Sequence, residues 1–235
     1  MNVPETKFAA PYLHERGINL ETALGLGMEI SANGSCPRGI YRDRLGFDTW
    51  GNKLLPDVVE ESLWFPCLDA EGKIKSYFCR LFPSLKDKEG KPAKFLTPKD
   101  GHGYPFIVPA VWEVASKPHH PLCLTEGPVK AIAILQAGGL PIGLGGVWGA
   151  TTIDAEDRTD LSPVLAENFQ WKGRRIFLVF DADASTNPSV RQALIRTIIV
   201  LYARGADARV MHWRICEGRG IDDYLAAKAR RREGQ

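Results

Sequence analysis

Acidic side chains follow three of the apolar runs in the second half of the sequence, each close to the point where the run ends. Glu126 comes directly after LCLT, and Asp181 and Asp183 stand at the end of RIFLVF. Asp222 follows ARVMHW after a glycine-containing turn. Like charges repel and are costly to bury unless a positive charge compensates, so a divalent cation is the expected partner. Carboxylates suit Mg²⁺ or Mn²⁺, and two such ions stabilise the attacking and leaving oxygens of a phosphoryl transfer.

These acidic residues belong to a region of alternating strands and helices, which predicts a parallel sheet with helices on both faces. Ligands of such sheets gather at the carboxyl ends of the strands. Asp181 and Asp183 are two residues apart, which on a strand places both side chains on one face. A single Asp after a strand is also a common turn former and helix cap, so the argument depends on the joint placement. The predicted strands are 122–125, 140–146 with its turn, 175–180 and 208–213, and the predicted helices are 129–137 and 190–204.

The first half of the sequence has a different organisation. Residues 7–30 alternate apolar and polar side chains at helical spacing, with Gly17 to end a first helix and Asn19 to cap a second. SLWFPCLDAEGKIKSYFCRLFP predicts two strands joined by a glycine turn, and the following KDKEGKPAKFL predicts an exposed loop. We therefore predict a small, mostly antiparallel α+β subdomain over 1–118 and an α/β domain over 119–235.

The densest basic stretch also lies in the first half. Aromatic residues alternate with the basic ones there, as a surface that binds a nucleic-acid strand needs. The alternative is an exposed hairpin with an apolar inner face. The basic residues are Lys73, Lys75, Arg80, Lys91, Lys94 and Lys99, and the aromatic residues are Tyr77, Phe78, Phe82 and Phe95.

The bulk composition is that of an ordinary globular protein. The 235 residues are 44% hydrophobic and 25% charged, and the net charge is only +2, although acidic residues in a site can mask a basic groove. There is no uninterrupted apolar run of membrane-spanning length and no signal-peptide core, so we expect a cytoplasmic protein without a membrane partner. None of the five cysteines forms a C-x-x-C pair, which argues against a zinc site.

The motifs resemble those of the Toprim (topoisomerase–primase) superfamily, in which a Glu-Gly after one strand is followed by Asp-x-Asp after another. PYLHERGINLETALGLGMEI resembles the lead-in helices of bacterial-type primase catalytic domains, and LWFPCLDAEGKIKSYFCRLF resembles their hairpin. PAKFLTP resembles their Lys-aromatic-Leu segment. GIDDYL resembles the closing segment of phage- and plasmid-borne primase-like proteins. The resemblance implies a Toprim-type parallel sheet flanked by helices, preceded by a primase-like subdomain.

The resemblance also implies a function: a primase-type nucleotidyltransferase that makes primers on single-stranded DNA from nucleoside triphosphates, as a DNA-directed RNA polymerase does. It implies Mg²⁺ or Mn²⁺ as cofactor, replication of a phage or other mobile element as the setting, and a replicative helicase or other replication protein as a further partner. Glu126 would be a general acid/base or metal ligand, and Asp181 and Asp183 the principal metal ligands. Asp222 would add a further carboxylate. Nucleic acid or nucleotide phosphates would bind Arg80, Lys94, Lys130, Lys73 and Lys75.

The sequence departs from this family pattern at Lys130, in EGPVK, where bacterial primases commonly have an acidic residue. A lysine there holds a phosphate or neutralises the acidic cluster, and it removes one potential metal ligand. No zinc-ribbon cysteines precede the lead-in helices. Two other functions stay open: a DNA-cleaving Toprim nuclease or topoisomerase-like enzyme that uses the same carboxylates, and a non-catalytic nucleic-acid-binding Toprim module, which Lys130 favours.

Overall fold

The computed structural model describes residues 6–32, 58–86, 90, 92–97 and 104–233. The chain divides into two compact units. The first comprises Met1–Glu15 and Asn19–His102, and the second comprises Arg16–Ile18 and Gly103–Gln235. Within the described ranges, no helix is long and apolar enough to cross a membrane.

The first unit contains two short helices and a four-stranded antiparallel sheet. Its elements are α1 (Ala9–Glu15), α2 (Leu20–Gly25), β1 (Glu29–Ala32), β2 (Glu61–Leu68), β3 (Ile74–Lys86) and β4 (Pro92–Leu96). Asn19 caps α2 because its side-chain oxygen accepts a 3.0 Å hydrogen bond from the backbone N–H of Thr22. Between β2 and β3 the chain turns at Gly72, whose φ of +76° favours glycine. The two predicted helices and the predicted hairpin are therefore present.

Strand β4 corrects the prediction of an exposed loop over residues 86–96. It pairs antiparallel with β3, with Cys79 opposite Leu96 and Arg80 opposite Phe95. It lies at the edge of the sheet, where a strand needs only one hydrogen-bonded neighbour and tolerates proline and lysine. The charge and proline of this segment are typical of a loop, although the segment forms an edge strand. Lys91, one of the predicted basic residues, lies outside the described residues, as does Lys99.

The second unit contains a five-stranded mixed sheet and a separate hairpin. Its strands are β5 (Phe106–Ile107), β6 (Leu122–Thr125), β7 (Pro141–Gly143), β8 (Thr151–Ile153), β9 (Thr159–Leu161), β10 (Arg175–Val179) and β11 (Asp207–Val210), and its helices are α3 (Pro109–Trp112), α4 (Pro128–Gln136), α5 (Pro163–Asn168), α6 (Pro188–Ala203) and α7 (Ile221–Glu233). The sheet order is β11-β10-β6-β7-β5, and its first four strands run parallel, as the alternating pattern predicts. The edge strand β5 is antiparallel and too short to predict, and β8 and β9 form the hairpin.

The two central strands, β6 and β10, bring their carboxyl ends to the same place. Apart from the exposed Arg175 at the start of β10, the residues of both strands are buried or half-buried, and their register sets Val179 opposite Thr125. The hydroxyl of Thr125 donates a 2.8 Å hydrogen bond to the carbonyl of Val179, which links the two ends. The residues that follow the strands therefore start from adjacent points on one sheet edge.

The end of β10 corrects the expectation that Asp181 and Asp183 share a strand face. The strand ends at Val179, and residues Ala182–Ser185 form a 3₁₀ turn. The two-residue period of a strand does not apply inside that turn, so the spacing of the two residues does not align their side chains. Asn187 then caps α6, which begins at Pro188, two residues before the start of the range predicted for this helix.

Candidate functional site

Glu126 and Asp181 meet at the carboxyl edge of the second unit's sheet. Glu126 directly follows β6, and Asp181 comes two residues after the end of β10. The backbone N–H of Asp181 donates a 3.0 Å hydrogen bond to Oε1 of Glu126. The register of the two central strands therefore brings together two acidic residues that are 55 positions apart in the sequence.

Lys130 lies between these two carboxylates. It is in the first turn of α4, which starts directly after Glu126 and Gly127, so its side chain lies on the same face as Glu126 four positions earlier. Its Nζ donates hydrogen bonds to Oε2 of Glu126 and to Oδ1 of Asp181. The three side chains are each less than one-fifth exposed. They form a charged triad that is largely shielded from water.

The pKa values of the triad reflect burial and charge together. Burial alone would lower the pKa of Lys130, but the charges of Glu126 and Asp181 and their hydrogen bonds outweigh it, so the pKa is raised. Burial raises the pKa of Asp181 to about 6; Lys130 opposes this shift, and the charges of Glu126 and Asp222 add to it. The ammonium of Lys130 therefore stays charged, whereas the carboxyl of Asp181 keeps a proton more readily than an exposed aspartate does.

Asp222 is the third buried carboxylate of this region. It lies in the first turn of α7, and its side chain is only 4% exposed. Arg16 binds it, because Nη1 of Arg16 lies 3.0 Å from Oδ2 of Asp222 and 3.0 Å from Oδ1 of Asp223. Oδ1 of Asp222 is buried and has no hydrogen-bond partner among the described residues. Such an oxygen is costly to leave unpaired, so it is a candidate contact for a ligand.

Gly220 shows that this unpaired oxygen points toward the triad. A Cβ built on Gly220 would collide with Oδ1 of Asp222, and it would lie 3.1 Å from Cε of Lys130 and 3.2 Å from Oδ1 of Asp181. Three functional groups therefore surround one point that only a glycine leaves open. The backbone N–H of Ala182 donates a 2.9 Å hydrogen bond to the carbonyl of Arg219, which fixes the loop before Gly220.

Asp183 has a different partner. Its Oδ2 lies 3.5 Å from a guanidinium nitrogen of Arg219, and its side chain is 22% exposed. Because the chain forms a 3₁₀ turn after Asp181, Asp183 does not share the hydrogen bonds that Lys130 donates to Glu126 and Asp181. Of the three predicted residues, Glu126 and Asp181 are joined by hydrogen bonds within the described part of the chain, and Asp183 is not joined to them.

The donor set does not fit a divalent ion between Glu126 and Asp181. The oxygens that would face such an ion, Oε2 and Oδ1, both accept hydrogen bonds from Lys130. Within the ranges described, no group of three or more His, Cys, Asp or Glu side chains has the arrangement of a metal centre. The predicted ligand roles of Asp183 and Asp222 stay predictions.

In the first unit, the structure places Arg80 inside a group of aromatic rings. Its guanidinium carbon lies 5.0, 4.9 and 5.5 Å from the ring centroids of Tyr12, Phe82 and Phe95. Its Nη1 donates hydrogen bonds to the hydroxyl of Ser84 and the carbonyl of Lys94, each 3.1 Å long. Nη1 of Arg80 is therefore used within the protein, and the guanidinium stacks against its own aromatic neighbours.

The other predicted contacts of this unit divide by exposure. Tyr77 and Phe78 are buried core residues on opposite faces of β3, whereas Phe95 is 38% exposed. The exposed basic residues are Lys73, Lys75 and Lys94. The surface open to a ligand is thus smaller than the basic and aromatic pattern suggested.

Sequence reasoning missed Arg16 and Gly220. Arg16 lies 206 positions before Asp222, and its segment resembles an ordinary helix end, so no local pattern could have revealed the pair. Gly220 could have been found, because a glycine immediately before an acidic helix start often marks a close approach of neighbouring groups.

Several solved primase structures share this fold. The RNA polymerase domain of Mycobacterium tuberculosis primase DnaG matches with a TM-score of 0.63 and 18% identity, over 97% of this chain and 76% of that one. A DNA primase domain from Pseudomonas aeruginosa matches at 0.61 and 20%, over 99% and 72%. The zinc-binding and RNA polymerase domains of Aquifex aeolicus primase match at 0.61 and 16%, over 97% of this chain and 55% of that one. The fold is therefore that of bacterial primase catalytic cores.

The family follows from the sequence comparison. The chain belongs to the family described as Domain of unknown function (DUF3854), which matches residues 111–232. An uncharacterized protein of Picosynechococcus sp. is 32% identical over an alignment of 127 positions that covers 48% of this chain and 12% of that protein. The chain thus spans a small part of this relative's length and about half of the Aquifex aeolicus chain.

Proposed function

We propose that the protein is a primase-type nucleotidyltransferase with a Toprim-type site, which synthesises primers on single-stranded DNA from nucleoside triphosphates in replication of a phage or other mobile element. The main support is the meeting of Glu126 and Asp181 at one sheet edge within a primase-like fold. Ligands of parallel sheets bind at this edge. A helicase or another replication protein is the further partner in this proposal.

In this proposal, the groups at the sheet edge have separate roles. Glu126 acts as general acid or base, and Lys130 and the backbone of Asp181 hold its carboxylate in position. The carboxylate of Asp181 in turn holds Lys130 in place between the two strand ends. Lys130 also offers positive charge to a phosphate oxygen as negative charge develops on it. Mg²⁺ or Mn²⁺, which the resemblance implies, does not fit between Glu126 and Asp181 beside Lys130, so both roles belong to protein groups alone.

The template-binding surface in this proposal lies on the antiparallel sheet of the first unit. Exposed Lys73, Lys75 and Lys94 supply positive charge for the phosphates, and the exposed part of Phe95 supplies a ring for base stacking. Arg80 supports Phe95 through its position over the ring. These contacts are independent of base identity, as template reading during primer synthesis requires.

The experiment is primer synthesis by the full chain on single-stranded DNA with labelled nucleotides, in parallel with Mg²⁺, Mn²⁺ or chelator, with the products sized on a gel. We expect short products from the wild type and their loss in Glu126→Ala and Asp181→Ala. Glu113→Ala removes an exposed carboxylate of the same unit and should keep wild-type synthesis. Wild-type yields from Asp181→Ala, or no product from the wild type under any condition, would contradict the proposal.

The second candidate function is nucleic-acid binding without turnover, and Lys130 favours it. An ammonium that occupies both carboxylates takes the position of a cation on which metal-dependent phosphoryl transfer depends. A binding module of this kind retains its DNA affinity in chelator, and its affinity falls steeply as salt increases. Chelator-resistant binding with no primer product, and no nicking of supercoiled plasmid in Mn²⁺, would favour this function over synthesis or cleavage.

A further inference from the structure

The fold fixes the position of Lys130, which is not a freely mobile surface lysine. Val129 and Ala131, its neighbours in α4, are both buried, so the phase of the helix is fixed. From there the lysine side chain extends to carboxylates that follow two different strands. Its ammonium therefore cross-links the ends of β6 and β10.

Two protein cations pair with the carboxylates of this region. Lys130 pairs with both Glu126 and Asp181, so these two carboxylates share one positive charge. Arg16 pairs with Asp222 and with the more exposed Asp223. Each of the three buried carboxylates therefore has a cationic side chain of the same unit as its partner, which is the role that a bound ion has in a metal site.

An ammonium and a divalent ion cannot share these oxygens. Mg²⁺ needs oxygen ligands at about 2.1 Å, and an ammonium needs the same oxygens as hydrogen-bond acceptors at about 2.8 Å. Oε2 of Glu126 and Oδ1 of Asp181 already accept hydrogen bonds from Lys130. A metal ion could bind there only if the lysine left a site in which four-fifths of its side chain is buried.

We infer that Lys130 is the resident cation of this site: it takes the position between Glu126 and Asp181 that a divalent ion would bridge, and it excludes such an ion. The inference depends on the geometry of the triad and not on the proposed function. It also predicts what removal of the ammonium leaves behind. Loss of the ammonium frees Oε2 of Glu126 and Oδ1 of Asp181 as metal ligands. The unpaired Oδ1 of Asp222 and Oδ1 of Asp181 both lie within 3.2 Å of the point that a Cβ at Gly220 would occupy. One substitution should therefore create a metal site.

The test is a titration of the full chain with Mn²⁺, in which isothermal titration calorimetry and electron paramagnetic resonance both measure the bound ion. We expect no saturable site at Glu126 in the wild type. Lys130→Met should gain one saturable site, with an affinity for Mn²⁺ at least tenfold above any binding that the wild type shows. The melting temperature of this variant should rise with added Mn²⁺. Lys117→Met, which removes an exposed lysine of the same unit, should behave as the wild type.

Two further variants make the result decisive. Lys130→Gln offers a second neutral side chain if Lys130→Met does not fold, and Lys130→Met/Glu126→Gln should lose the gained site. The inference is overturned if the wild type binds Mn²⁺ and Glu126→Gln abolishes that binding, or if neither neutral variant of Lys130 gains affinity. Because metal binding is read without primer synthesis, a protein that makes no primers can still support the inference, and one that makes them can still overturn it.

Discussion

The backbone N–H of Asp181 donates a hydrogen bond to Oε1 of Glu126, although the two residues are 55 positions apart. The bond exists because β6 and β10 are neighbouring parallel strands in a fixed register. Glu126 is therefore held on both sides, by this N–H and by Lys130. A carboxylate that is oriented in this way is suited to proton transfer at a fixed point, and any change that moves either strand end should disturb it.

We expect Arg16→Met to destabilise the second unit by about 1–3 kcal/mol, because it leaves Oδ2 of the buried Asp222 without its hydrogen-bond donor. Arg175→Met breaks an exposed pair with Asp207 and should cost less than about 1 kcal/mol. Unfolding in urea measures both values. Arg16→Met/Asp222→Asn should recover part of the lost free energy of unfolding. Equal losses in Arg16→Met and Arg175→Met would show that the pair of Arg16 and Asp222 stabilises the protein no more than an exposed pair does.

The open point at Gly220 gives a steric prediction. In Gly220→Ala, the new methyl group must displace Oδ1 of Asp222, Cε of Lys130 or Oδ1 of Asp181, so we expect a loss of about 1–3 kcal/mol in stability. A Cβ at Gly25 meets no atom within 4 Å, so Gly25→Ala is the matched control. Thermal melting compares the two variants, and DNA or nucleotide binding shows whether the site is disturbed. If Gly220→Ala melts at the same temperature as Gly25→Ala, the claim that three groups crowd a side chain at position 220 is wrong.

Much of the fold could be predicted from the sequence, because the information is local. The helix caps at Asn19 and Asn187 and the glycine turn at Gly72 depend on interactions within a few residues, and the structure contains all three. The parallel sheet follows from the strand and helix rhythm. Strand β4 was missed because an edge strand tolerates the proline and charge that are typical of loops.

The candidate site was less predictable, because its partners are distant in the sequence or depend on where a strand ends. The position of both residues at the carboxyl ends of parallel strands predicted that Glu126 and Asp181 meet. Because β10 ends two residues before Asp181, the side chain of Asp183 does not share a strand face with that of Asp181, contrary to what the spacing indicated. The sequence indicates two roles for Lys130, and its ion pairs with Glu126 and Asp181 agree with compensation of the acidic cluster. The pair of Arg16 and Asp222 depends on tertiary packing alone.

The raised pKa of Asp181 predicts how stability depends on pH. Burial raises this pKa to about 6, above the 3.8 of an unperturbed aspartate. Between these two values the folded state keeps a proton that the unfolded state has lost, so stability falls as the pH rises from about 4 to about 6. We expect this contribution to be on the order of 1–3 kcal/mol and to be absent in Asp181→Asn. Urea unfolding from pH 4 to 8 measures it; parallel curves for the two proteins would contradict the shift.

The exposed ring of Phe95 predicts the last effect, on DNA binding by the first unit. If bases stack on this ring, Phe95→Ala should weaken binding of single-stranded DNA by about 1–3 kcal/mol without changing its salt dependence. Lys94→Ala removes a neighbouring charge and should instead reduce the salt slope by about 1. Ile74→Ala, an exposed apolar position on the same sheet, should leave both quantities unchanged. Fluorescence anisotropy at several salt concentrations measures both quantities. An effect of Phe95→Ala no larger than that of Ile74→Ala would exclude stacking at this position.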